Sequence, residues 1–203
     1  MRLVLATSNA GKQRELDSLL APFGYELLLQ SSLGIEAPEE SGSSFEANAL
    51  LKARHAARLA GLPALADDSG LEVDALGGRP GVHSARFAGA SATDAANNSR
   101  LLAALAGVPP ERRGARYRCV LALVRGADDP EPLLVSGTWE GRIGEAPRGG
   151  GGFGYDPLFI PTGLDRTAAE LPAVEKNRMS HRGQALQALA ARLGAAAGRV
   201  RRR

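Results

Sequence analysis

The sequence predicts an α/β protein, a mixed β-sheet flanked by helices. Three observations carry this. Apolar runs of strand length alternate with stretches whose apolar residues recur every three or four positions, the pattern of strands interleaved with amphipathic helices. Two consecutive strand-like runs, RYRCVLALV and LLVSGTWEGRI, are joined by the turn-rich RGADDPEP. They read as an antiparallel pair, which argues against an all-parallel sheet. No internal repeat and no long linker interrupts the 203 residues. Residues 1–196 therefore read as one domain, and 197–203 as a basic, disordered tail.

Residues 2–6 are an apolar run that reads as a buried first strand. Leu16, Leu19, Leu20 and Phe23 then fall on one face of a helix that stops before Gly24, and YELLLQ is a second strand. Ser43 with Glu46 makes a capping box for a helix closed by Gly61-Leu62-Pro63. ALAD follows as a short strand that breaks at DSG. Residues 77–98, rich in glycine, alanine and polar side chains, read as loop or partly formed helix. Thr93 caps a helix carrying Leu101, Leu102 and Leu105 that ends at Pro109-Pro110. After the strand pair, the glycine-rich RGGGGFGYDP leads to a strand at LFI. Ser180 caps a last helix carrying Leu186, Leu189 and Leu193.

Composition narrows the class of function. At 44% apolar and 23% charged residues the chain is ordinary for a soluble globular protein. No apolar stretch approaches the roughly 20 residues needed to cross a bilayer, and no secretory leader is visible, so a cytoplasmic protein without a membrane partner is expected. One cysteine, Cys119, excludes an internal disulfide and a four-thiolate zinc site; its apolar surroundings suit a buried structural thiol. The net charge is +3, and four of the 25 basic residues lie in the final RVRRR. Removing those four leaves −1, so the body lacks the excess positive charge of a dedicated nucleic-acid binder.

Chemistry concentrates in four places. Thr7-Ser8-Asn9-Ala10-Gly11-Lys12 joins the first strand to the first helix, where backbone N–H groups and the helix dipole favour an anion. It is not a P-loop, because Ala6 stands where the first glycine belongs and Gln13 follows the lysine. Ser and Asn there also suit simple helix capping. Two acidic pairs, Glu39-Glu40 and Asp67-Asp68, the latter just before Ser69, are candidate oxygen ligands for Mg²⁺, and one of them could activate a water. Lys52 lies four residues after Asn48 on the apolar-facing side of its helix, where an ammonium needs an anion: a ligand, or one of those acids. Finally, GGGGFGYDP places Phe153, Gly154, Tyr155 and Asp156 after glycines that permit close backbone approach. EKNRMSHRGQAL brings Lys176, His181 and Arg182 to a helix start, where cations oppose the dipole unless an anion or electron-rich group is near.

Together these stretches resemble one family, the inosine triphosphate pyrophosphatases, also described as non-canonical purine NTP or dITP/XTP pyrophosphatases, of bacterial type. LATSNAGKQREL, EESGSSFEANALLKARHAA, ADDSGLEVDALGGRPGVHSARFAG, GGFGYDPLF and AELPAVEKNRMSHRGQAL occur in the family's order from residue 3 to about 193. Position 8 is serine where many relatives have glycine, and the basic tail is not a family feature. The resemblance implies a long mixed sheet with helices in two lobes around a central cleft, and a homodimer. It implies Mg²⁺-dependent hydrolysis of ITP, dITP and XTP to the monophosphate and pyrophosphate. Thr7 to Lys12 would then grip the triphosphate, with Lys12 and Lys52 neutralising its charge. The metal would sit on Glu39 or Glu40 and on Asp67 or Asp68, with Asp68 the general base and Ser69 beside it. Phe153 would stack on the base, edged by Asp156, Lys176, Ser180, His181 and Arg182. Two other readings compete: a Mg²⁺-dependent phosphohydrolase releasing orthophosphate, and a non-catalytic nucleotide or RNA binder.

Overall fold

A computed structural model describes residues 2–20 and 25–200, without the side chains of 18–20 and 195–200. Six strands, β1 (Arg2–Ala6), β2 (Glu26–Leu29), β3 (Ala64–Val73), β4 (Gly114–Val124), β5 (Leu133–Ile143) and β6 (Phe159–Pro161), form one sheet in the order β2-β1-β3-β4-β5-β6. The sheet is mixed: β1 runs parallel to β2 and to β3, while β6 is antiparallel to β5. Among the described residues five α-helices accompany it, α1 (Ala10–Leu20), α2 (Phe45–Ala60), α3 (Asp94–Ala104), α4 (Ala173–Met179) and α5 (His181–Val200). The expected α/β class and mixed sheet are therefore present.

The chain divides into two compact units: Met1–Asp68 with Cys119–Gly137 and Arg182–Arg203, and Ser69–Arg118 with Thr138–His181. In the first, β1 turns Leu3 and Leu5 toward Leu16 of α1 and Leu186 and Leu189 of α5, with Leu65, Cys119 and Leu121 completing that core. The other face of β1 receives α2. Along α2 the buried positions are Phe45, Asn48, Ala49, Lys52, Ala53, Ala56 and Ala57, a stripe at helical spacing. Alanines in that stripe bring the helix close to the strands and carry Lys52 with it. In the second unit, Leu71, Val73, Leu101, Leu105, Ile143 and Leu158 surround the rings of Tyr117, Trp139, Tyr155 and Phe159. Gly141 lets β5 approach β6, since a Cβ there would lie 2.6 Å from Cζ of Phe159.

Several elements differ from expectation for definable reasons. β3 does not break at Asp67-Asp68-Ser69-Gly70 but runs through it to Val73; buried carboxylates with cationic partners can sit in a strand interior where their polarity alone suggests a turn. The cap of α2 is Ser44, not Ser43: the Ser44 hydroxyl accepts from the Ala47 N–H at 3.1 Å. Thr93 caps α3 as expected, accepting from Ala96 N–H, but the helix ends at Ala104 with Leu105 as its C-cap, before Pro109-Pro110. Within 77–98, read as loop or partly formed helix, residues 81–86 form a 3-10 helix, and another at 74–76 lies just before that stretch. Lys176 belongs to a separate helix, α4, and Ser180 is the extended residue between α4 and α5. Phe23, the stop at Gly24 and the final Arg201–Arg203 lie outside the described residues.

The cap assignment has a direct test. Ser44→Ala should lower unfolding stability by about 1 kcal/mol, whereas Ser43→Ala should change it by less than about 0.5 kcal/mol, both by denaturant titration.

Candidate functional site

The first cluster belongs to the first unit and begins where β1 ends. Ala6 pairs with Ala66, so the Thr7–Asn9 loop leaves the sheet beside Asp67 and Asp68. Asn9 caps α1: its Oδ1 accepts from the N–H groups of Gly11 and Lys12 at 2.9 and 3.0 Å, and Thr7 Oγ1 accepts from Asn9 N–H at 3.1 Å. The capping reading of this loop therefore holds for Asn9, while Ser8, Asn9 and Ala10 are exposed and Gly11 is buried.

Because strand neighbours point to opposite faces, Asp67 and Asp68 meet different partners. Asp67 is buried at 1% exposure. Its Oδ1 pairs with the ammonium of Lys12 from α1. Its Oδ2 accepts from Arg182 Nε at the start of α5 and from the Cys119 thiol of β4, each at 3.0 Å. Arg182, itself buried, reaches back to Glu15, one turn after Lys12 on α1. Burial would raise the Asp67 pKa, but Arg182 and Lys12 outweigh it and hold the group well below 3.8. Arg182 is pushed up in turn: burial opposes its charge, and Asp67 and Glu15 more than compensate. Asp67 thus fastens three elements to β3 through its carboxylate.

Asp68 faces α2. Its Oδ1 accepts from Lys52 Nζ at 2.6 Å, and the same ammonium donates to Glu40 Oε1 at 2.8 Å. Lys52 has found the acids that the sequence offered it. Both partners raise its pKa against the effect of burial. Asp68 moves the other way from Asp67: burial raises its pKa, and Lys52 and then Lys12 offset this only in part. Its Oδ2 is buried without a hydrogen-bond partner. A carboxylate with one oxygen satisfied and the other bare is costly unless something positive or protic meets it.

That orphaned oxygen is the test of whether Mg²⁺ fits. No group of three or more His, Cys, Asp or Glu is arranged as a metal centre among the described residues. Even so, hard oxygen donors suit Mg²⁺, which takes one or two carboxylates and completes its shell with water and phosphate. Asp68 and Glu40 supply such a pair. Both Asp67 oxygens are engaged by cations and the thiol, and Glu39 is exposed and makes none of these contacts.

The second cluster belongs to the second unit. Asp156 Oδ2 accepts from Lys176 Nζ at 2.7 Å and from the Phe153 N–H at 2.9 Å. The ammonium lies 5.2 Å from the centroid of the half-buried Phe153 ring. A Cβ on Gly152 would collide with the Asp156 carboxylate, so glycine is required for this loop to close. Tyr155 sends its ring into the core and donates its hydroxyl to the Ser84 carbonyl at 2.8 Å. The His181 ring stacks on Tyr117 at 4.6 Å and 6°. Ser69 continues β3 beyond Asp68.

The structure therefore gathers Lys12 and Arg182 around the Asp67 carboxylate, Glu40 and Asp68 around the Lys52 ammonium, and Phe153 and Lys176 around Asp156 in the second unit. The sequence reading grouped Arg182 with the base-edge residues, and the fold places it on Asp67 and Glu15. Glu15, Tyr117 and the thiol of Cys119 were not among the candidate residues. Glu15 carried a signal, one helical turn from Lys12; the other two depend on strand alignments that no local motif encodes.

Comparison with known proteins follows the same lines. The Ham1 family model matches residues 3–192. The dITP/XTP pyrophosphatase of Methylococcus capsulatus is 61% identical over 197 residues, covering 97% of this chain and 98% of that one. That of Yersinia pseudotuberculosis is 57% identical over 186 residues, covering 92% and 94%. Among solved structures, a HAM1 protein from Coxiella burnetii superposes with a TM-score of 0.88 at 47% identity, covering 96% of this chain and 99% of that one. The Staphylococcus aureus Ham1 protein gives 0.84 at 38% identity with the same coverage.

The thiol next to Asp67 can be checked chemically. Burial first, and then the Asp67 charge, push the Cys119 pKa well above 9.0. A raised pKa keeps a thiol protonated until the pH climbs past it. Iodoacetamide should leave the native protein unmodified between about pH 7 and 9 and label it fully in denaturant. Labelling of the native protein at the rate of a free cysteine, by intact mass, would contradict this placement.

Proposed function

Because the chain belongs to the Ham1 family, we propose that it is a nucleoside-triphosphate pyrophosphatase. Its substrates are non-canonical purine nucleotides, dITP, XTP and ITP, cleaved to the monophosphate and pyrophosphate. The observation that carries the reading is Asp68: a buried carboxylate with a raised pKa, one oxygen on Lys52 and the other without a partner.

Each residue then has a defined task. Lys12 and Lys52 offset the charge of the polyphosphate, so much of the rate enhancement comes from fixed electrostatics rather than covalent chemistry. Asp68 orients a water toward the α-phosphorus and takes its proton as the new P–O bond forms. The bond from the α-phosphorus to the bridging oxygen breaks, and pyrophosphate leaves. Asp68 and Glu40 are the residues that would hold Mg²⁺, which would supply Lewis-acid polarisation of the phosphate oxygens. Asp67 remains ion-paired and fixes Lys12, as the buried Arg182 requires.

Selectivity belongs to the second unit. The half-buried Phe153 ring offers a stacking face, and Lys176, held by Asp156, sets an N–H donor beside it. Hypoxanthine and xanthine present a keto oxygen at C6 where adenine has an amino group. A donor placed for that oxygen rejects ATP by leaving a polar group unpaired. A homodimer acting in the cytoplasm, without a stable nucleic-acid complex, completes the proposal. Its support is the family resemblance, a nearly neutral body once the four tail arginines are set aside, and the lack of any membrane-length apolar helix among the described residues.

The decisive assay supplies ITP, XTP, dITP, ATP and GTP with Mg²⁺ and identifies the first phosphate product. Pyrophosphate from ITP and XTP, with far less from ATP, is expected; orthophosphate as the first product, or equal specificity for ATP and ITP, contradicts the reading. Asp68→Asn should lower kcat by at least about 100-fold while nucleotide binding survives. Unchanged turnover removes Asp68 from its role, and no turnover by the unmodified protein with intact binding would mark a non-catalytic binder.

A further inference from the structure

We infer that Asp94 and Asn98, two residues of α3 to which no role has been assigned, are positioning residues for the nucleobase site. The inference rests on the stacking role proposed for Phe153. Asp94 and Asn98 are four apart and so share one face of the helix. Both reach the same residue of the glycine loop, one on each of its two flanking peptide units. Asp94 Oδ2 accepts from the Gly154 N–H at 2.7 Å, and Asn98 Nδ2 donates to the Gly154 carbonyl at 2.8 Å. Asn98 Nδ2 also donates to the backbone carbonyl of Asp94 at 2.8 Å, which ties the Asn98 side chain to the first turn of α3.

The clamp acts on the residue next to Phe153. Gly154 has φ +63°, a left-handed conformation that glycine adopts without strain but does not enforce. Asp156 fixes the loop from within by accepting from the Phe153 N–H, while Tyr155 anchors to Ser84. Asp94 and Asn98 are the contacts that fasten Gly154 to a regular element outside the loop. Without them the Phe153–Gly154 peptide can rotate, and the ring then loses its fixed plane.

Asn98 shows that the arrangement serves the loop rather than stability. Its Oδ1 is buried without a hydrogen-bond partner, a cost borne so that its nitrogen can hold Gly154. The preceding residue does similar work: Asn97 accepts from the Ala88 N–H at 2.8 Å and donates to the Ala85 carbonyl at 3.1 Å. Two adjacent asparagines thus hold two loops to one helix.

A fixed ring binds its ligand without the cost of ordering it first, so loss of the clamp should appear in KM and leave kcat nearly unchanged. Steady-state pyrophosphate release from ITP and XTP, measured on the full chain, tests this. Asn98→Ala and Asp94→Ala should each raise KM about tenfold, the equivalent of one well-placed hydrogen bond. kcat should change by less than about twofold and the unfolding midpoint should move little. Asp94→Asn, which keeps an acceptor for Gly154 N–H, should restore most of the affinity. The clamp works through Phe153, so adding Asn98→Ala to Phe153→Ala should change KM by less than about twofold.

An unchanged KM in both alanine variants overturns the inference, as do a fall in kcat alone and full additivity with Phe153→Ala. If Phe153→Ala itself leaves KM unchanged, the stacking reading fails first and takes the clamp with it. Should Asn98→Ala fail to fold, the inference is lost as stated for Asn98, and Asp94→Ala, at an exposed position, decides it for Asp94.

Discussion

Asp67 is the constraint on which the first unit depends. Its carboxylate is shared by Lys12 of α1, Arg182 of α5 and the Cys119 thiol of β4, and Glu15 closes the circuit from Arg182 back to α1. Four elements are joined through one buried anion on β3. A charge so placed is tolerated only because its partners are equally buried and correctly aimed, and removing one member would strand the others. The same interaction orients Lys12 at the end of the loop that follows β1.

Its neighbour illustrates how a strand divides labour. One residue further along β3 the side chain faces α2, where the alanine stripe places Lys52 beside it. Asp67 is saturated and held as an anion; Asp68 is half-satisfied and its pKa is raised. Two identical side chains therefore acquire opposite electrostatic environments from the alternation of the strand and the partners on either face. In the second unit a comparable economy holds: Asp156 binds both the Phe153 backbone and the Lys176 ammonium, so ring and donor are fixed by one carboxylate.

Much of this was legible in the sequence, for physical reasons. Period-2 and period-3.6 apolar patterns located the strands and helices, and Gly61 and Thr93 marked helix boundaries through standard cap chemistry. Lys52 announced itself as a cation on a buried stripe, which demanded an anion. Alignment between distant segments was not legible. That Cys119 faces Asp67 follows from which residues of β3 and β4 share a face, and that Arg182 joins Asp67 while His181 stacks on Tyr117 follows from a helix start that sends adjacent side chains apart. From sequence alone the strand ends at Asp67-Asp68, because a pair of acids resembles a turn until their partners are known. Asn98 carried no motif at all; its importance lies in a peptide 56 residues away.

The claim that Asp67 holds the fold while Asp68 serves the chemistry is most directly tested by comparing the unfolding free energies of Asp67→Asn and Asp68→Asn. The account predicts a loss of about 3 kcal/mol for Asp67→Asn, which leaves Arg182 buried beside a neutral amide. Asp68→Asn should be neutral or stabilising, because it removes a charge that the fold disfavours and leaves Lys52 its Glu40 partner. Equal losses for the two variants, or a larger loss for Asp68→Asn, would contradict it.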